Sequence, residues 1–199
     1  MNRLIEFADH WQALIAGLVG FAAAILVVWI TLQAERRKSA AENRAFKHAL
    51  GAEIRHFGLL AYEAFDRLRS ASRRGIVTVH QAEDELRFPS PTIYLSNGHR
   101  VGSLGDIAHD IVLFYGRIDT IVSTIARMQR DFGGRTRLAE VNVDDICDTL
   151  LAACNTAVRL STPLAVGVAD VRNDAEFRKR VDQLNAERLR LRDLEKKPT

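Results

Sequence analysis

Two motifs in the sequence pair a carboxylate with an imidazole at a spacing that can hold a metal ion. In Glu53-x-x-His56 and Asp106-x-x-His109 the two side chains stand three residues apart, so a helix would present both on one face. Helical bundles use such pairs as oxygen and nitrogen ligands for two iron ions. The first chemistry to consider is therefore a metal site inside a bundle.

The register of the apolar residues argues against that metal site. With Ile54 and Phe57 on the apolar face of their helix, Glu53 falls at the edge of this face and His56 outside it. The second pair lies on the polar side of its own helix, and its Asp stands where di-iron motifs have Glu. We expect surface residues at these four positions and no bound metal or other cofactor.

Local signatures of catalysis are also missing from the sequence. It contains no H-E-x-x-H, G-x-S-x-G or G-x-x-x-x-G-K-[ST] string, and Cys147 has no recognisable catalytic histidine partner. We therefore predict no catalytic residue. An enzyme remains a third functional class, because a site assembled from distant residues leaves no local string.

The strongest feature of the sequence is an uncharged run of 22 residues, Trp11–Leu32. As a helix it would rise about 33 Å, enough for a hydrocarbon core of about 30 Å. Trp11 and Trp29 stand near its two ends, where indole rings favour the membrane interface. A buried core helix and a cleaved signal peptide are the alternatives, but the run is longer than the apolar part of a signal peptide, about 7–15 residues.

The charges flanking this run predict its orientation. Arg3, Glu6 and Asp9 precede it, whereas five cations follow within 15 residues: Arg36, Arg37, Lys38, Arg44 and Lys47. The positive-inside bias places the N-terminus outside and the C-terminal region in the cytoplasm. Residues 34–74 carry ten basic and five acidic residues. This excess predicts attraction to anionic lipid headgroups, with an ordinary topology signal as the alternative.

Small residues recur every four positions within the predicted span, at Ala16, Gly20 and Ala24. This spacing lets the backbones of two transmembrane helices approach closely. We therefore expect self-association or a partner membrane protein, although alanine and glycine are common in such spans. Nucleic acid is not an expected partner, because aromatic residues are not interleaved with the arginines around Gly133-Gly134.

Helical periodicity continues over nearly all of the remaining chain. Six apolar residues alternate spacings of four and three and form a heptad seam: Leu50, Ile54, Phe57, Ala61, Ala64 and Leu68. The sequence thus predicts an all-α protein whose single N-terminal transmembrane helix continues into a cytoplasmic helical bundle or elongated helical hairpin. The predicted divisions are 1–10 as a flank, 11–32 as the span, 33–74 as a basic juxtamembrane helix, 75–161 as a helical domain and 162–199 as a charged helix.

Local signals predict where the helices begin and end. Arg73-Arg74-Gly75 should end the first long helix, and Thr78 should cap a short one together with Gln81. In the glycine-rich and proline-rich stretch 87–105, Ser90-Pro91 should open a helical turn that Gly98 ends, with a hairpin at Asn97-Gly98 as the alternative. Two further caps are predicted at Ser103, paired with Asp106, and at Asn142.

The same stretch carries a resemblance. Pro91-Thr-Ile-Tyr94, Gly102-x-Leu104 and Phe114-Tyr115 follow a pattern that is similar in order and spacing to one in uncharacterised bacterial proteins with one N-terminal transmembrane helix and a helical cytoplasmic region. This resemblance implies the same architecture and a bacterial inner membrane, and it transfers no activity to this chain. From the residues themselves we expect Tyr94 and the Phe114-Tyr115 pair to pack together beneath the glycine-rich turn.

The functional expectation follows from these features together. We expect a membrane-anchored scaffold or accessory subunit that self-associates and holds a protein partner at the membrane. The alternative is a membrane-perturbing or signalling effector that assembles through its transmembrane helix.

Overall fold

The computed structural model describes residues 2–75, 77–132, 137–138, 140–165 and 168–195. These residues form six α-helices and one short 3-10 turn at Gly102–Leu104: α1 (Asn2–Arg73), α2 (Val79–Glu85), α3 (Thr92–Val101), α4 (Ile107–Phe132), α5 (Glu140–Leu164) and α6 (Val168–Glu195). Extended pairing in this part of the chain is limited to one isolated bridge between Thr78 and Arg137. The all-α prediction is confirmed.

The chain divides into two compact units, residues 1–46 and 47–199. In the first unit, every side chain from Ala16 to Leu32 is exposed, including the large apolar ones. In the described part of the chain, α1 is the one helix long and apolar enough to cross a membrane. It is unbroken through the junction at Phe46 and supplies core residues to the second unit.

The core of the second unit begins with the predicted heptad seam. All six of its residues, from Leu50 to Leu68, are at most 2% exposed, so the predicted periodicity is confirmed. α4, α5 and α6 cover this face with further buried apolar residues: Ile111, Phe114, Ile118, Leu150, Cys154, Ala157, Leu160, Phe177 and Val181.

Two glycines let α5 lie against α1 at short distance. A Cβ atom at Gly51 would stand 3.1 Å from the Leu164 Cβ, and one at Gly58 would stand 2.9 Å from the Ala157 Cβ. Seven residues separate the positions on each helix, so the same contact repeats after two turns. Since real Cβ atoms do not approach to 2.9 Å, the packing at Gly58 requires a residue without a side chain.

Several predicted helix ends are confirmed. α1 ends at Arg73, and Gly75 follows with a φ of 96°, a left-handed conformation that glycine adopts without strain. The Thr78 hydroxyl accepts a hydrogen bond from the Gln81 N–H at 3.2 Å and caps α2. Ser161-Thr162-Pro163 is also predicted to end or kink its helix, and α5 ends at Leu164, directly after Pro163.

The predicted left-handed end at Gly98 is wrong, although the helical turns do break at the neighbouring residue, Asn97. α3 continues to Val101, and the non-helical residue within it is Asn97, whose amide donates to the Ile93 carbonyl. This bond lets the chain kink and then continue. The left-handed glycine is Gly105, with a φ of 65°. The alternative hairpin does not form either.

Two predicted caps are also wrong. Ser103 lies in the 3-10 turn, where its hydroxyl donates back to the Arg100 carbonyl at 2.6 Å, and α4 begins only at Ile107. A serine hydroxyl can bond to the preceding turn as readily as to a following N–H. Asn142 lies inside α5, which begins at Glu140.

Alternating spacings of four and three residues predict a broad apolar stripe on α4 that includes Val112 and Val122, and the buried face is narrower than this stripe. Ile111, Ile118 and Ile125 are buried, whereas Val112 is 51% exposed and Val122 is 39% exposed. The neighbours of α4 include α5 and α2, and they cover only part of the predicted stripe.

Candidate functional site

The first candidate site is the surface of the predicted span. Ala16, Gly20 and Ala24 are all exposed, and a Cβ atom at Gly20 would meet nothing within 4 Å. At 3.6 residues per turn, steps of four residues keep these positions in one row along the helix. We call them the small-residue row.

The predicted interface residues are exposed as well. Trp11 and Trp29 have more than half of their surface accessible, at 52% and 58%. Arg36, Arg37 and Lys38 follow the span, and none of the three forms an ion pair with any described side chain. Their charges are therefore available to groups outside this chain.

The small-residue row and the pair Trp29 and Arg36 occupy opposite sides of α1. Trp29 and Arg36 are seven residues apart and share one side, which we call the Trp29–Arg36 face. Gly20 lies 16 residues before Arg36, which corresponds to a rotation of about 160° from it. A partner helix on the small-residue row therefore leaves the Trp29–Arg36 face uncovered.

The charges after the span divide in the same way. Arg36, Arg37 and Arg44 fall within an arc of about 100°, on the Trp29–Arg36 side. Lys38 lies with the acidic residues Glu35 and Glu42 on the other side, below the small-residue row. One side of the helix is thus purely cationic and the other has mixed charge.

The second candidate site is a hydrogen-bonded cluster in the helical domain, centred on Glu53 of α1. Its carboxylate accepts the N–H groups of Ile93 at 2.7 Å and Tyr94 at 3.0 Å, in the first turn of α3. It also accepts the Tyr115 hydroxyl of α4 at 2.6 Å. The expectation of a surface residue at Glu53 is therefore wrong, because its oxygens satisfy donors from two other helices.

The sequence contains one signal for this role of Glu53. Pro91 rather than Ser90 is the N-cap of α3, and proline has no side chain that can accept a hydrogen bond. The first N–H groups of a helix need acceptors, and a carboxylate there also stabilises the helix dipole. A helix that lacks its own cap requires an acceptor from elsewhere in the fold.

Aromatic rings enclose this cluster. Tyr94 stacks on Tyr115 with 4.1 Å between ring centroids, and Phe57 and Phe114 contact Tyr115 edge-on. The expected packing of Tyr94 with the Phe114-Tyr115 pair is confirmed. Burial, followed by the hydrogen bond to Glu53, raises the pKa of Tyr115, so its hydroxyl stays protonated and donates.

The remaining members of the two carboxylate–imidazole motifs are exposed, namely His56, Asp106 and His109. Within the described residues, no three His, Cys, Asp or Glu side chains lie close enough to bind one metal ion together. The arrangement around Glu53 can join three helices, and it presents no exposed nucleophile.

Both cysteines are buried and unpaired. Burial raises the pKa of each thiol to about 12, and the Cys154 thiol donates weakly to the Gly58 carbonyl at 3.6 Å. A thiol is a poor nucleophile when its thiolate is disfavoured. These residues act as small core side chains.

A cleft of about 630 Å³ lies between the end of α5 and α6, and the sequence did not indicate it. Small apolar residues line it together with Thr162, Arg178, Lys179 and Asp182. Arg178 already donates to the Thr162 hydroxyl at 3.0 Å, so part of its hydrogen-bonding capacity is used within the fold.

Comparison of this chain with protein-family models, curated proteins and solved structures finds no match. The resemblance carried by residues 91–115 stays a prediction. The function is therefore inferred from the residues and contacts described above.

Proposed function

We propose that this protein is a membrane-anchored helical scaffold or accessory subunit of the bacterial inner membrane, which self-associates through its span and holds a protein partner on the cytoplasmic side. The observation that carries the proposal is the exposure of the apolar part of α1. The same helix has its heptad seam buried from Leu50 to Leu68 and its apolar residues exposed from Ala16 to Leu32.

The exposed apolar surface supports placement in a bilayer. Eleven large apolar side chains between Trp11 and Leu32 are 46% to 66% exposed. Burial of apolar surface contributes about 25 cal/mol per Å² to stability. A continuous patch of exposed apolar side chains marks a contact with a membrane or with another protein. The unbroken helix between Leu32 and Phe46 favours a retained anchor over a signal peptide, since cleavage there would divide one helix.

The charge division on α1 supports self-association through the small-residue row. A second copy that approaches this row meets Lys38 together with Glu35 and Glu42, so opposite charges can pair between copies. A copy that approaches the other side meets Arg36, Arg37 and Arg44, and like charges repel it. Backbone contact and electrostatics therefore favour the same side of the helix.

Two alanines of the span provide a matched test of this contact. Ala24→Leu adds bulk to the small-residue row, while Ala22→Leu adds the same atoms about 160° away. Inserted bulk in a packed contact costs about 1–3 kcal/mol, a shift of about 5-fold to 150-fold in the dissociation constant. Crosslinking of the full chain in membranes should show fewer oligomers for Ala24→Leu alone.

The outcomes separate the scaffold from the effector. Unchanged oligomers in both variants would contradict the small-residue contact. Loss of ion leakage or of overexpression toxicity in Ala24→Leu would favour the effector. For the orientation, a reporter fused after Thr199 should be active in the cytoplasm, and periplasmic activity would contradict the proposed topology.

A further inference from the structure

The Trp29–Arg36 face of α1 combines an apolar strip and a cation along one line. Leu18, Ile25 and Trp29 present apolar surface that is 53% to 61% exposed, and Arg36 continues the same side with a cation. Arg37 lies beside it, rotated by about 100°. An apolar strip that ends in a pair of cations matches a molecule with an acyl chain and an anionic head.

The distance along the helix places the cations at the level of lipid phosphates. Arg36 and Arg37 stand four and five residues beyond Leu32, about 6–8 Å along the axis. The polar headgroup layer on each side of a bilayer is about 5–8 Å thick. Both guanidinium groups therefore reach this layer, and guanidinium groups bind phosphate oxygens in pairs.

Arg44 provides an internal contrast on the same side. It stands 12 residues beyond Leu32, about 18 Å along the helix, which is outside the headgroup layer. Its charge acts on that layer through about 10 Å of salt solution, where screening is strong, since the Debye length is about 8 Å at physiological ionic strength. The same residue type thus occurs inside and outside the expected contact zone.

From this geometry we infer that the Trp29–Arg36 face is a binding site for an anionic phospholipid, with the phosphate on Arg36 and Arg37 and an acyl chain along Trp29, Ile25 and Leu18. The inference rests on the proposed membrane placement, but not on self-association. The occupant is a bilayer lipid and not a soluble phosphate, because the cations continue an apolar strip about 27 Å long from Leu18 to Arg36.

The two tryptophans allow the test to be made within one chain, because the sequence has no others. In the Trp11→Phe variant, Trp29 is the sole indole and reports the lipid beside Arg36. In the Trp29→Phe variant, Trp11 reports the opposite end of the span. Each full-length variant is reconstituted in vesicles of phosphatidylcholine and phosphatidylglycerol, in which one of the two lipids carries bromine atoms on its acyl chains and quenches nearby indole fluorescence.

We expect brominated phosphatidylglycerol to quench Trp29 more than brominated phosphatidylcholine does, and to quench Trp11 no more. Beside Trp29, the association constant of phosphatidylglycerol relative to phosphatidylcholine should be raised about fivefold by each arginine. Arg36→Gln and Arg37→Gln should each reduce it by about that factor, whereas Arg44→Gln should reduce it by less than twofold. A change from 0.1 to 1 M salt should weaken it, because the Debye length falls from about 10 to 3 Å.

The failures of this inference and of the proposed function are distinguishable. Equal quenching of Trp29 by the two brominated lipids would overturn the lipid site and leave the membrane placement intact. No quenching by either lipid would overturn both. A loss of preference in Arg44→Gln as large as in Arg36→Gln would also overturn the site, since it would indicate diffuse attraction to the surface.

Discussion

Gly20 and Gly58 lie on the same helix and have opposite surroundings. A Cβ atom at Gly20 would meet nothing within 4 Å, whereas one at Gly58 would stand 2.9 Å from Ala157 and 3.0 Å from the Phe177 ring. The first glycine lies in the unit of residues 1–46 and the second in the unit of residues 47–199. One helix thus carries small residues in two different surroundings.

The neighbours of a small residue on a long helix indicate why the residue is small. At Gly58 the fold itself supplies the close neighbour, so the glycine is explained within the chain. At Gly20 no neighbour exists within the described residues, and the apolar side chains around it are exposed as well. Under the proposed function, lipid or another helix from outside the chain covers this surface.

The largest expected effect comes from adding bulk at Gly58. Gly58→Leu should lower the free energy of unfolding of the helical domain by more than about 3 kcal/mol, because α1 and α5 cannot separate without opening the core. Denaturant-dependent alkylation of Cys147 and Cys154 measures this opening, since both thiols are buried in the folded domain.

A compensating pair makes the contact at Gly58 specific. Gly58→Ala should destabilise the domain, and the addition of Ala157→Gly, which removes the facing Cβ, should recover part of the loss. If the double variant were as unstable as the sum of the single variants, the contact with Ala157 would not be the cause.

The sequence predicts those parts of the fold that depend on local periodicity. Residues within one or two helical turns of each other are enough to predict the heptad seam from Leu50 to Leu68. They are also enough to predict the end of α1 before Gly75 and the cap of α2 at Thr78. The close contact at Gly58 involves Ala157, 99 residues away, and the role of Glu53 depends on Ile93, 40 residues away. Periodicity places Glu53 at the edge of a face but cannot indicate which helix meets that edge.

The next prediction compares two carboxylates, Glu53 within the fold and Glu85 at its surface. Glu53→Gln should lower the free energy of unfolding by about 1.5–3 kcal/mol, because hydrogen bonds to a charged acceptor are replaced by weaker ones. Glu85→Gln breaks the ion pair with the exposed Arg67 and should cost less than about 1 kcal/mol. Equal effects in the two variants would contradict the capping of α3 by Glu53.

A smaller effect should appear at alkaline pH. Burial raises the pKa of Cys154 from 9.0 to about 12, so the unfolded chain releases this proton first and folding is disfavoured as pH rises. From pH 9 to 10 this thiol should lower the stability by about 1 kcal/mol. Cys154→Ala should reduce the pH dependence by that amount, measured by circular dichroism during urea unfolding. An unchanged slope would contradict the role of its burial.

The smallest expected effect on the helical domain belongs to Gly20→Leu. Because no described atom lies near its Cβ position, the free energy of unfolding of the helical domain should change by less than about 0.5 kcal/mol. The same variant should lose oligomers in membranes, as Ala24→Leu does, because both add bulk to the small-residue row. If Gly20→Leu lowered the stability of the helical domain together with the amount of oligomer, the domain would fold only within the oligomer. The two units would then not be energetically independent.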